Sequence, residues 1–217
     1  MVAMKAVEIS CLKHRYEDGT HVQICDSHFS AECGEIVIIT GKNGSGKSTL
    51  LHHIVGLLEP TQGKVRVFGV DVASKEFEKI RNSVGIVFQD VDEQLIAPTV
   101  YEDIAFSPLN YGWKIDQIHK DVNLIMKQLG ITSLKNKAPH YLSGGEKKKV
   151  ALAGALVMKP KLLVLDELFA NMDEQSKKDI INILIRLNAD TGMTIVMTSH
   201  ESEIVKKFNA RIFPLGS

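Results

Sequence analysis

The sequence predicts an α/β fold: a mostly parallel core sheet, an antiparallel β subdomain at the N-terminal side, and an α-helical subdomain inserted into the core. Short runs rich in Val and Ile recur at 35–40, 65–68, 84–88, 162–166 and 194–198. They are too short for independent helices, and they are apolar in the manner of strands buried on both faces. Helical periodicity fills much of the space between them, as parallel strands joined by crossover helices require. A long stretch, 100–159, is almost entirely helical in pattern.

Taken in order, VEISCLKHRYEDGTHVQICDSHF places a turn signal, Glu17-Asp18-Gly19, between two strand-like runs, which predicts a small antiparallel sheet. EIVIIT then reads as a strand that runs into a glycine-rich loop, and the periodic STLLHHIVGLL reads as the helix after it. The helical stretch is broken at 110–113 and again at Pro139. LLVLD and the run 194–198 read as further core strands, and RIFPLGS holds one last candidate. The expected organisation is a single domain over 1–217, with 1–99 and 160–217 forming the core and 100–159 the helical subdomain.

Composition narrows the function classes. The chain has 217 residues, 44% hydrophobic and 24% charged, which is ordinary for a globular domain. Lys plus Arg equals Asp plus Glu at 26 each, so no overall surface for a polyanion is expected, and no nucleic-acid partner. Lys147, Lys148 and Lys149 form a local basic patch that reads as a solvated helix face. Cys11, Cys25 and Cys33 lack C-x-x-C spacing, which predicts inert thiols in a reducing compartment. No apolar run approaches the roughly twenty residues that span a bilayer, so any work at a membrane is expected to go through a partner.

Gly41, Gly46, Lys47 and Ser48 satisfy G-x-x-x-x-G-K-[ST], with a strand before and a helix after. That is the phosphate loop of a P-loop NTPase fold. Its glycines let successive N–H groups of Asn43, Gly44, Ser45 and Gly46 turn toward phosphate oxygens, at a helix N-terminus carrying roughly half a positive charge. Lys47 is expected to reach the β- and γ-phosphates of ATP, Ser48 to ligate Mg²⁺, and Thr49 to complete the nucleotide site. Asp166 ends an apolar strand where a carboxylate would otherwise be misplaced, so it is a candidate Mg²⁺ holder. Strand alternation would turn Glu167 away from Asp166, free to polarise an attacking water. Ser143-Gly144-Gly145-Glu146 reads as a capping box opening a helix. Its two glycines weaken that helix by roughly 1 kcal/mol each, which close approach of an anion to bare N–H groups would offset.

These residues together resemble an ATP-binding-cassette ATPase over almost the whole chain. GKNGSGKST resembles the Walker A loop, LSGGE the signature, and LLVLDE the Walker B strand. Gln89 lies where the family has its Q-loop glutamine, Asp173 where it has its D-loop aspartate, His200 where it has its switch histidine, and Tyr16 where an aromatic stacks on adenine. The resemblance implies head-to-tail pairing with a second cassette, of the same or a related chain. Ser143, Gly144, Gly145 and Glu146 of one copy would then cover the γ-phosphate held by Lys47 of the other. It implies that Gln89 senses Mg²⁺ and γ-phosphate, and that His200 acts beside Glu167. Leu168 stands where proline is usual, Lys42 replaces a proline of Walker A, and FANMD replaces a run of smaller residues.

A narrower resemblance lies in FQDVDEQLIAPTVYEDIAFSPLN, which is similar to the ATPases of energy-coupling-factor importers, including the cobalt and nickel type. Val91 departs there from a frequent proline. This similarity implies a transmembrane coupling protein, a small substrate-capturing membrane subunit, and a peripheral position on the cytoplasmic face of the membrane. The cargo would be a transition metal ion or a vitamin. Alternatives are a cassette of another importer or exporter, or a soluble cassette ATPase outside transport. The long coiled-coil insertions of chromosome-associated relatives are missing here, and LSGGE with His200 argues against a small-molecule kinase.

Overall fold

The computed structural model describes residues 4–17, 19–24 and 28–216. Its strands are β1 (Lys5–Arg15), β2 (His21–Ile24), β3 (Phe29–Glu32), β4 (Ile36–Thr40), β5 (Gln62–Val67), β6 (Val70–Asp71), β7 (Val84–Val87), β8 (Leu162–Leu165), β9 (Thr194–Thr198) and β10 (Arg211–Pro214). Its helices are α1 (Lys47–Ile54), α2 (Val100–Asn110), α3 (Ile115–Gln128), α4 (Gly144–Leu156), α5 (Glu174–Thr191) and α6 (Ser202–Phe208). Two sheets organise them. The core sheet is parallel in the order β10-β4-β9-β8-β7. The other is antiparallel, with the long β1 pairing β2, β3 and β5, and β6 added beyond β5.

The parallel sheet is covered on both faces, and the period-two alternation of its strands decides which residue serves which side. Ile38, Leu163, Leu165, Ile195 and Met197 pack with α2, α3, α4 and α5. Val37, Ile39, Leu162, Val164 and Val196 pack with α1 and the antiparallel sheet, where Phe29 and Phe77 are fully buried. β8 and β9 are buried at every position, which explains the unbroken apolar sequence of β8 and of the centre of β9.

One expected core strand belongs elsewhere. The run at 65–68 lies in β5, in the antiparallel sheet, with Val65 and Val67 buried and Lys64 and Arg66 exposed. KVRV alternates, as a strand with one solvated face should, and the apolar count of the window hides that. The turn before β2 closes through Gly19 N–H to the Tyr16 carbonyl at 3.0 Å; Asp18 of the expected turn lies outside the described residues. The cysteine expectation also needs correcting. Cys11 is disulfide-bonded, whereas Cys33 is free and exposed; Cys25 lies outside the described residues. A disulfide needs proximity in the fold rather than short sequence spacing, so C-x-x-C counting does not detect it.

Between β7 and β8 the chain is helical. Thr99 caps α2 by accepting from Glu102 N–H. α3 buries Ile118, Val122, Ile125 and Met126, spaced to form one stripe along the helix. α5 runs from an Asp173 cap to Gly192, whose φ of 69° ends the helix in the left-handed conformation. Among the described residues, no helix is long and apolar enough to cross a membrane.

Candidate active site

Parallel strands β4, β7, β8 and β9 deliver four loops to one end of the core sheet, the carboxyl end where open α/β sheets bind ligands. The loop after β4 is the glycine-rich one. Lys47 is buried and folds back over it, donating to the Gly41 carbonyl at 3.1 Å and the Lys42 carbonyl at 3.0 Å. Gly46 precedes α1 at φ 92°, and a Cβ there would sit 2.4 Å from Val22 Cγ1. Neither the conformation nor the space admits a side chain. Asn43 and Gly44 are exposed at the loop tip, and Ser45 N–H closes the turn onto the Lys42 carbonyl at 3.2 Å. Among the described residues Ser45 Oγ is buried without a hydrogen-bond partner, and Ser48 stands in the first turn of α1.

Tyr16 follows β1 and shares a 2.8 Å hydrogen bond with Thr49 Oγ1, which ties the antiparallel sheet to α1. Its ring meets His14 edge-on at 4.5 Å, and His14 meets His53 at 4.8 Å. Burial pulls the His53 imidazole down to about 4, so it stays neutral at ordinary pH. Its Nδ1 bonds the Leu58 carbonyl at 2.8 Å. His52 packs edge-on against Phe88.

Asp166 and Glu167 follow β8. Asp166 is 2% exposed, and its N–H extends the ladder to the Val87 carbonyl at 2.9 Å. The separation of the two carboxylates does not come from strand alternation, because β8 ends at Leu165. Glu167 instead adopts φ 46°, a left-handed conformation that non-glycine residues seldom take and that recurs where function demands it. That turn brings its carboxylate to the two neighbouring loops. His200 Nε2 lies 3.0 Å from Oε1, and Gln89 Nε2 donates to Oε2 at 3.5 Å. Three of the four loops therefore converge on one carboxylate. A cavity of about 230 Å³ opens beside it, lined by Glu167, Asn171, Ser199 and His200 among others.

Ser143 caps α4 in a complete capping box. Its hydroxyl accepts from Glu146 N–H at 3.3 Å, and its N–H donates to Glu146 Oε2 at 2.8 Å. The Ser143 N–H foremost, and then the Ser143 hydroxyl, which donates to the same Oε2 at 2.9 Å, hold the Glu146 carboxyl below its usual range. Gly144 and Gly145 face open space, with nothing within 4 Å of where a Cβ would sit. Among the described residues, the side-chain bonds of Glu146 stay within its own cap. Asp173 caps α5 by accepting from Ser176 N–H at 2.8 Å, and this bond lowers its pKa. Leu168 and Phe169 are buried core residues, the latter against Phe208, and Asn171 takes φ 57°.

Residues 24–170 match the family described as ABC transporter. The chain belongs to that family. It is 44% identical to the energy-coupling factor transporter ATP-binding protein EcfA of Methanothermobacter thermautotrophicus, over 97% of this chain and 68% of the relative. Among solved structures it is similar to cbiO1 from Clostridium perfringens, part of the ABC transporter complex cbiONQ. That likeness has a TM-score of 0.82 and 37% identity, and covers 97% of this chain and 84% of the other. It is also similar to a dimeric ATP-binding cassette in a post-hydrolysis state bound to ADP and Pi, with TM-score 0.86, 27% identity, and coverage of 96% and 94%. The architecture is that of an ABC ATPase, and the protein is an ATP-binding, ATP-hydrolysing member of the family.

Sequence reading of this ABC ATPase misses three residues at the site. Thr198 Oγ1 donates to Asp166 Oδ1 at 2.6 Å and accepts from Glu167 N–H at 2.9 Å. Lys148 of α4 donates to the Ala170 carbonyl in the loop after Glu167. Burial pulls its ammonium below the usual range, and the nearby Glu167 carboxylate opposes that pull. Gln94 accepts from Phe88 N–H and donates to the Ile86 carbonyl, both at 3.1 Å. None has a local pattern that distinguishes it from an ordinary strand, helix or loop residue. The DEQL segment is also tied to the signature helix, by a 2.5 Å ion pair between Asp92 and Lys147.

Proposed function

We propose that this chain is the ATP-hydrolysing subunit of an importer of the energy-coupling-factor type, bound peripherally to the cytoplasmic face of the membrane. It would work as one of two cassettes on a transmembrane coupling protein, with a small membrane subunit capturing a transition metal ion or a vitamin. The extent and level of similarity to the EcfA relative support the subgroup, and cbiO1, part of an ABC transporter complex, supports assembly into a transporter. The whole chain, 1–217, is read as one ATPase domain, with 1–99 and 160–217 as nucleotide core and 100–159 as signature subdomain.

The observation that carries the chemistry is the convergence of Gln89 and His200 on the Glu167 carboxylate. Glu167 is read as the base that takes a proton from the attacking water. Gln89 and His200 orient it, and His200 also donates toward the γ-phosphate. Lys47 leaves its loop carbonyls for phosphate oxygens, joined by the N–H groups from Asn43 to Gly46, by Ser45 Oγ and by Thr49, while Tyr16 stacks on the base. Ser48, Asp166 and Gln89 offer the hard oxygens that Mg²⁺ prefers, and Ser45 Oγ is a buried polar atom awaiting a partner, so the site suits the group. Mg²⁺ supplies charge neutralisation on the β- and γ-phosphates.

The signature of the opposing copy would complete the site through Ser143, Gly144, Gly145 and Glu146, with Asp173 at the same interface. Gly145→Asp tests this. The added side chain meets open space, and a carboxylate in the first turn of α4 suits the helix dipole. The monomer should therefore keep its fold and its ATP affinity while turnover falls more than tenfold. Undiminished hydrolysis would rule out a shared site. Co-purification in mild detergent, with mass spectrometry of the partners, tests the importer reading. A polytopic coupling protein with a small membrane subunit is the expected result, and recovery without any membrane protein would overturn it.

A further inference from the structure

Thr198 is the last residue of β9, the central strand of the parallel sheet, and is 1% exposed. The register that pairs Met197 with Leu165 sets it beside the first residues after β8. Its hydroxyl has one proton and two lone pairs, and both kinds of capacity are used. The proton goes to Asp166 Oδ1 at 2.6 Å, and the oxygen receives Glu167 N–H at 2.9 Å. The direction of this relay is fixed, because a backbone N–H can only donate and an ionised carboxylate can only accept. Among the described residues Asp166 Oδ2 has no hydrogen-bond partner, so the hydroxyl also decides which carboxylate oxygen is engaged within the protein.

The second bond acts on the backbone at its least comfortable point. Glu167 adopts φ 46°, and an unbranched L residue holds that conformation only when its surroundings over-determine it. Its N–H is directed to Thr198, its carbonyl accepts from Ala170 N–H at 3.1 Å, and its carboxylate reaches His200 and Gln89. His200 follows Thr198 by two residues, so the same strand end carries the hydroxyl and the imidazole that grip Glu167 from its two ends.

We infer that Thr198 is a positioning residue for ATP hydrolysis: its single hydroxyl orients the Asp166 carboxylate and locks the left-handed turn that presents Glu167 to Gln89 and His200. The inference rests on reading Glu167 as the base. Its effect should fall on kcat, because its hydroxyl bonds go to Asp166 and Glu167 and not to the phosphate loop.

Thr198→Ser and Thr198→Ala provide the test, since both lose the methyl group and only one keeps the hydroxyl. T198A should lower kcat at least tenfold, with KM for ATP and the Kd for ATP in EDTA within about threefold of the parent. T198S should restore kcat to within about threefold of the parent. In the nucleotide-free protein, amide hydrogen exchange of the segment containing Glu167 should speed up in T198A and not in T198S. Equal kcat for T198A and T198S, or an unchanged exchange rate in T198A, overturns the inference. Glu167→Gln measured alongside separates the two layers. If E167Q still hydrolyses ATP, the assignment of the base fails; if E167Q is inactive and T198A turns over normally, only the role of Thr198 fails. Should T198A not fold, Thr198→Val, which keeps the side-chain volume, puts the same question against T198S.

Discussion

Glu167→Gln should reduce ATP turnover by about 10²–10⁴-fold, the range a positioned general base contributes, while leaving ATP binding intact. The amide keeps the shape of the carboxylate and can still meet Gln89 and His200, whose contacts at 3.5 and 3.0 Å surround it. What it loses is the capacity to take a proton. Two ATP-loaded copies should then close and stay closed, because the ATP that each shared site holds is no longer consumed. Size-exclusion chromatography with and without ATP reads this directly. The variant should run as a dimer with ATP and as a monomer without it. Turnover within tenfold of the parent would remove Glu167 from the role of base.

Lys47→Ala should act one step earlier, on nucleotide affinity itself. The ammonium is buried within the loop and held by two carbonyls rather than by a carboxylate. It can therefore exchange neutral acceptors for phosphate oxygens without breaking an ion pair. Charge-assisted hydrogen bonds contribute roughly 1.5–3 kcal/mol each, so loss of the side chain should weaken ATP binding by about 100-fold. A titration with a fluorescent ATP analogue, beside a thermal melt to show that the fold survives, gives the answer. An unchanged Kd would mean that 41–49 is not the phosphate loop in use.

The glycine-rich turn before α1, the Ser143 cap and the buried strands of the parallel sheet are legible in the sequence, for a shared reason. Each rests on local chemistry: glycines at fixed offsets, Ser143 three residues before Glu146, and apolar runs of strand length. β5 was misassigned because two exposed basic residues, Lys64 and Arg66, alternate with valines inside a window that counts as apolar. The conformation of Glu167 was illegible for a different reason. Strand alternation predicts a direction only while the strand continues, and β8 stops two residues earlier. Thr198 and Lys148 act across 31 and 22 positions of sequence, a separation that periodicity cannot span.

The Gln94 side chain has a meaning apart from nucleotide chemistry. β7 is an outer strand of the core sheet, so the groups on its free side, among them the Ile86 carbonyl and the Phe88 N–H, face away from β8. The carboxamide of Gln94 answers both with one acceptor and one donor, as the backbone of an adjoining strand would. An open flank of this kind invites strand addition from another chain, and hence aggregation. Here a single side chain occupies the docking positions beside Gln89. The protein can thus leave its sheet unfinished at the mouth of the active site and still resist self-association there.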